Sequence, residues 1–172
     1  MNLFNDSKLL SIFNKYKNDV FNKSFTIRPI NENDKIVELL DELTNGTTLT
    51  ESINSEEYEL FIKSLNDRHM VFVIELSMKG IEKTIAGVGT ALIEQKIIHS
   101  MGKAGHIEDV VISKKYRGHG IGKILINYLI EYCKEMGCYK VILNCSDENI
   151  GFYEKCGMKK KANQMAIYFD KN

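Results

Sequence analysis

The sequence is short of several things, and each shortage excludes something. Its 172 residues include one proline and no tryptophan, and no repeat, low-complexity tract or Gly/Ser/Pro-rich linker divides the chain. A single globular domain with an N-terminal extension is therefore expected, residues 1–24 forming the extension and 25–172 the domain. No stretch approaches the roughly 20 consecutive apolar residues that span a bilayer. Residues 1–20 carry Asn5, Asp6, Asn14 and Asp19 where a secretory leader needs an apolar run. A cytoplasmic protein that neither enters a membrane nor binds its surface is the expectation. Net charge is missing as well: 23 basic residues balance 23 acidic ones. That disfavours nucleic-acid binding, which draws much of its affinity from phosphate neutralisation.

The four cysteines, Cys133, Cys138, Cys145 and Cys156, contain no Cys-x-x-Cys pair and have no His-x-x-x-His beside them, so no metal is expected. In a reducing compartment they read as small packed hydrophobes. Disulfides are not needed as staples, because a chain of this length buries roughly 70% of its unfolded surface. Arginine is scarce, three against 20 lysines. Each is informative, since only arginine offers a planar five-donor fork.

What is present falls into a clear order. Leu9, Leu10, Phe13, Tyr16 and Val20 stand at helical spacing over residues 7–21. Phe25 to Ile30 reads as a strand, and Asn33 or Asp34 could cap a helix carrying Ile36, Val37, Leu39, Leu40 and Leu43. A second helix is predicted from Glu56 to Leu65, with Asn54 and Glu57 in capping-box positions. The period then becomes extended. Met70 to Leu76 and Thr84 to Ile98 should pair, with the turn near Gly80 and a bend or bulge at Gly87 and Gly89. His106 to Ile112 supplies a third strand after a turn at residues 100–105. A helix over residues 120–136 closes on Gly137, a strand follows over residues 138–143, a short helix runs from Asn149 to Cys156, and Gln164 to Phe169 reads as a last strand. An antiparallel meander feeding a β-α-β unit gives an α/β (α+β) fold: a mixed, mostly antiparallel sheet with helices on both faces.

Chemistry concentrates in the C-terminal half. Arg117-Gly118-His119-Gly120-Ile121-Gly122 lies between a strand and a helix and matches neither the Rossmann fingerprint nor the P-loop. Glycines let backbone close on a ligand, and the first amides of the following helix are unpaired at the positive end of its dipole, so the segment can cradle a diphosphate. Read alone, it is also an ordinary Gly-rich helix start. On the preceding strand, Glu108 and Asp109 are adjacent, so strict alternation sends one of them into buried territory, where an unpaired carboxylate is costly. Lys96-Ile97-Ile98-His99, Asn144 at a strand end, and Asn149 with Tyr153 complete the set, Tyr153 being the candidate acid.

These segments resemble the GNAT acetyltransferase superfamily, through Arg117 to Gly122 and the strand order. Four longer runs, over residues 93–99, 105–110, 137–143 and 149–157, resemble its members that acetylate glucosamine 6-phosphate. The similarity extends from about Phe25 to Phe169. The resemblance implies transfer of an acetyl group from acetyl-CoA to the 2-amino group of glucosamine 6-phosphate by direct attack in a ternary complex, a step toward UDP-GlcNAc. It implies that the amides of Gly118, His119, Gly120, Ile121, Gly122 and Lys123, following Arg117, hold the pyrophosphate. The backbone of Val110, Val111 and Ile112 would pair with the pantetheine arm, the Val110 amide polarising the thioester carbonyl. It further implies that Asn149 touches CoA and that Tyr153 meets the departing sulfur. Glu108 and Asp109 orient the sugar and its amine, Lys96 to His99 line the sugar phosphate site, and Thr44 is a further acceptor contact. A homodimer with shared active sites is implied too.

Two positions depart from the resemblance. Asn144 stands where many members carry an acid, and Asn can accept a hydrogen bond but not a proton. Ile167-Tyr168-Phe169 stands where members often carry a phosphate-binding arginine. The rival readings are a superfamily enzyme acting on a peptide N-terminus, a polyamine or an antibiotic, and a non-catalytic acyl-CoA-binding module. Retention of Tyr153 and both acids favours the enzyme.

Overall fold

Apolar alternation gathers six strands into one sheet that follows chain order: β1 (Asp19–Val20), β2 (Lys23–Pro29), β3 (His69–Met78), β4 (Ile81–Gln95), β5 (Lys103–Ile112) and β6 (Cys138–Ile142). The structure, a computed structural model, describes residues 19–20, 23–43, 53–78 and 81–169. The first five strands pair antiparallel and β6 joins β5 in parallel, through a β-α-β crossover. Among the described residues five α-helices accompany them: α1 (Val37–Leu40), α2 (Ser55–Ser64), α3 (Ile98–Met101), α4 (Ile121–Glu135) and α5 (Ile150–Lys155). No helix among the described residues is long and apolar enough to cross a membrane.

α4 forms where the apolar spacing predicts it. Ile121, Leu125, Ile126, Leu129, Tyr132 and Cys133 are buried on one stripe, and Gly137, at φ 80°, takes the left-handed position that ends the helix. The sheet meets this stripe with glycines. A Cβ on Gly105 would lie 2.6 Å from Cys133 Sγ, and one on Gly89 would lie 2.9 Å from Leu129 Cδ1, so the helix rests on backbone. Phe72 adds edge-on ring contacts to Tyr128 and Tyr132, with centroids 5.1 and 4.9 Å apart. Truncating a fully buried residue such as Leu129 to alanine costs about 2–5 kcal/mol.

On the opposite face, Val71, Val73, Val88 and Val111 form a second core with Ile36 and Leu39. The capping box of α2 is present as the sequence predicts: Asn54 accepts from the Glu57 amide at 2.8 Å and Glu57 accepts from the Asn54 amide at 3.2 Å. The predicted cap of α1 is absent. The helix begins at Val37 after Ile36, with no side-chain cap. Asp34 is instead gripped by the Arg28 fork at 2.6 and 2.7 Å, and Arg28 reaches Glu75 at 2.7 Å. A bidentate charged partner outcompetes a local cap.

Two further expectations change. Asp19–Val20 is a short strand where the spacing reads as the end of a helix; residues 1–18 lie outside those described. Residues 164–169 join no strand, and Met165 and Phe169 are 93% and 82% exposed. Their alternation is strand-like, but a strand needs a neighbour, and among the described residues none pairs with it.

Candidate active site

The site is organised by a slip of register. Val88 pairs with Val111, whereas Thr90 pairs with Glu108, so Asp109 and Val110 together face Gly89. Asp109 absorbs the extra residue at φ 49°. The sequence signal at Gly89 marks the bulge correctly, but the inference that one of the two acids is buried fails. The bulge breaks alternation: Asp109 is exposed and Glu108 half-buried. Burial first, and then Asp109, push the Glu108 carboxyl above its ordinary value, with His106 opposing them.

The bulge coincides with a parting of strands. β6 pairs with β5 only from Lys103 to His106, so the edge of β5 that carries Val110 to Ile112 has no strand against it among the described residues. At the far end of that edge, Gly118 and Gly120 adopt φ 81° and 80°, and a Cβ on either would meet nothing within 4 Å. That open, left-handed turn delivers the first amides of α4, whose N-terminus has no side-chain cap. Gly122 lets α5 approach, since a Cβ there would sit 3.2 Å from Phe152 Cζ. Neighbouring Tyr153 is half-buried and packs against the same core cluster as Val110 and Ile112. Burial, then the Cys145 and Cys156 thiols, push its hydroxyl up, so Tyr153 keeps its proton at neutral pH. A cleft of about 770 Å³ opens beside it, with Asn144 and Cys145 on the wall.

The other predicted residues fall into two groups. Lys96 to His99 occupy the tip of the β4–β5 hairpin, where His99, Ser100 and Met101 hold φ between 55° and 61°. The His99 ring lies 4.4 Å from Tyr139, and Ile97 and Ile98 are exposed. Lys96 Nζ donates to Glu94 at 2.5 Å, and the other Glu94 oxygen meets His106 Nε2 at 2.9 Å. His106 and Glu108 share one face of β5, so a polar chain runs from Lys96 to Glu108. Glu94 and His106 were not singled out by sequence reasoning, although period-two spacing from Glu108 points to His106. Asn149 donates to Ser146 Oγ at 3.0 Å. Thr44 lies outside the described residues. The cysteines are unsuited to nucleophilic work where burial raises them: Cys133 is pushed up to about 12, and Cys138 and Cys156 also rise. Among the described residues, no group of three or more His, Cys, Asp or Glu could hold a metal ion.

A bulged strand parting from a parallel neighbour, next to a glycine turn that opens a helix, is the arrangement that the resemblance to the GNAT acetyltransferases implies. The sequence profile of the Acetyltransferase (GNAT) family matches residues 34–158, and the chain belongs to that family. A curated relative, the glucosamine 6-phosphate N-acetyltransferase of Arabidopsis thaliana, is 46% identical over 154 residues, covering 86% of this chain and 99% of the relative. The Candida albicans enzyme of the same name is 36% identical, over 86% of this chain and 97% of its own. The crystal structure of the Arabidopsis thaliana enzyme superposes with a TM-score of 0.76 at 45% identity, covering 85% of this chain and 99% of that one.

Proposed function

We propose that this protein transfers the acetyl group of acetyl-CoA to the 2-amino group of glucosamine 6-phosphate, giving N-acetylglucosamine 6-phosphate and CoA. The observation that carries the reading is the parting of β5 and β6 after His106, which leaves, among the described residues, a backbone edge with no strand against it between the acid pair and the glycine turn. The 46% identity to the Arabidopsis thaliana enzyme supports the acceptor.

Acetyl-CoA supplies an activated thioester carbonyl. The turn from Gly118 to Lys123 suits its diphosphate, because the backbone is open and its amides are uncapped. The edge from Val110 to Ile112 pairs with the pantetheine arm, and a backbone donor there stabilises charge on the carbonyl oxygen, an effect worth about 3 kcal/mol at comparable sites. Tyr153, which holds its proton, donates to the departing sulfur. Glu108 and Asp109 orient the amine, and the Glu108 carboxyl, raised by burial, accepts its proton. Asn144 contributes a hydrogen bond only. Lys96, paired with Glu94 at the end of this chain of polar groups, provides a cation for the sugar phosphate.

The exposed segment 164–169 fits the open edge of β6 in a second copy, since β6 ends the sheet. We therefore read the active unit as a homodimer. Incubating the protein with acetyl-CoA and glucosamine 6-phosphate and identifying the product by mass spectrometry tests the reading. A mono-N-acetylated sugar phosphate supports it, and an unmodified sugar phosphate refutes it.

A further inference from the structure

Arg117 opens the glycine turn, yet its fork does not face the turn. Nε donates to the Ile112 carbonyl at 2.8 Å, and Nη2 donates to Glu42 Oε2 at 2.8 Å. The same Glu42 oxygen accepts the Lys114 amide at 3.1 Å. Lys114 and Arg117 bracket the 3-10 turn Lys114–Tyr116 that joins β5 to the cradle. One carboxylate therefore fastens both ends of the segment that delivers the amides of α4. Glu42 comes from the other half of the domain, the turn just after α1, two positions before Thr44. Its side chain is 21% exposed, while Arg117 is about half-exposed.

We propose that Glu42 is a positioning residue of the cofactor site: through Arg117 and the Lys114 amide it holds the β5–α4 turn in the conformation that binds the CoA diphosphate. The proposal rests on the acetyl-transfer reading and extends it to a residue outside the family's glycine motif. Electrostatics give it a signed test. A carboxylate beside an anion site repels the ligand, so if Glu42 acted only through its charge, removing that charge would tighten CoA binding. A latch acts in the opposite sense, because a loosened turn must be ordered at the moment of binding.

The experiment is isothermal titration of CoA into the full-length protein, wild type, Glu42→Gln, Arg117→Lys and the double variant, with melting curves to verify folding. Glu42→Gln should weaken CoA binding about tenfold and raise the KM for acetyl-CoA, moving the KM for the acceptor less than twofold. Arg117→Lys keeps the charge but loses the fork, and should weaken binding similarly. It keeps the proposal testable if Glu42→Gln folds poorly. The double variant should be little worse than either single one, because both break one latch. CoA affinity in Glu42→Gln equal to or tighter than wild type overturns the proposal while leaving acetyl transfer intact. A wild-type protein that does not bind CoA overturns the reading beneath it.

Discussion

Thr90 on β4 pairs with Glu108 on β5, one residue out of step with the Val88–Val111 pair, and Asp109 takes up the difference at φ 49°. The slip puts Glu108 and Val111 on the same side of the sheet although they are three residues apart. It thereby brings an acid beside the open strand edge.

The bulge predicts a split between two substitutions of Asp109. Asparagine adopts left-handed backbone readily, so Asp109→Asn should keep the melting temperature while lowering acceptor kcat/KM about tenfold or more. Valine does not adopt it, and Asp109→Val should destabilise by about 1–2 kcal/mol as well as inactivate. Calorimetry and steady-state kinetics on both variants check this. Equal stability of the two would mean that the backbone strain is not there.

Glu108 and Glu75 should respond to pH in opposite senses. The folded-state pKa of Glu108 is raised, so its ionisation opposes folding, and the stability associated with its protonated form is lost as pH rises through that pKa. Glu108→Gln should therefore raise the neutral-pH melting temperature slightly, by no more than about 2 °C, while abolishing most activity. In the wild type, activity should fall on the acid side at a higher pH than an ordinary carboxylate would give. For Glu75, burial pushes the pKa up, but hydrogen bonds from Lys83 and Arg28 outweigh it and hold the carboxyl below its ordinary value. Its contribution is present above the unfolded pKa and lost as pH falls through the folded one. Arg28→Met, which removes the fork from Asp34 and leaves Glu75 with Lys83 as its cation, should cost about 3 kcal/mol.

Tyr153→Phe removes the donor and nothing else of size. If the hydroxyl protonates the leaving sulfur, kcat should drop about 100-fold with little change in the KM of acetyl-CoA. Wild-type turnover in that variant would remove the residue from the mechanism.

Gly120 and Gly137 make an internal control. Both hold φ 80°, and a Cβ on either meets nothing within 4 Å, so alanine costs only backbone strain, about 1–2 kcal/mol in each case. Gly120→Ala should also raise the KM for acetyl-CoA about tenfold, whereas Gly137→Ala, at the other end of α4, should not. Matching kinetics for the two would dissociate the glycine turn from cofactor binding.

Much of this was legible in the sequence for physical reasons that are local. The buried stripe of α4, the Asn54–Glu57 box, the αL exit at Gly137 and the β3–β4 pairing each depend on neighbouring residues or a short period. What was not legible depends on distant partners. Asp34 looks like a helix cap until Arg28 and Glu75 are beside it. Strict alternation wrongly buries one of the two acids, Glu108 or Asp109, because one inserted residue breaks the period, though Gly89 hinted at the insertion. Residues 164–169 have a strand's pattern but pair with no strand among the described residues, and nothing about Glu42 in sequence distinguishes it from any surface glutamate.

The central claim is acetyl transfer to a phosphorylated amino sugar. The most direct measurement follows thiol release from acetyl-CoA with glucosamine 6-phosphate, unphosphorylated glucosamine and a basic peptide as competing acceptors. The account predicts turnover with glucosamine 6-phosphate well above that with the other two. Thiol release with the peptide and none with the phosphorylated sugar would contradict it.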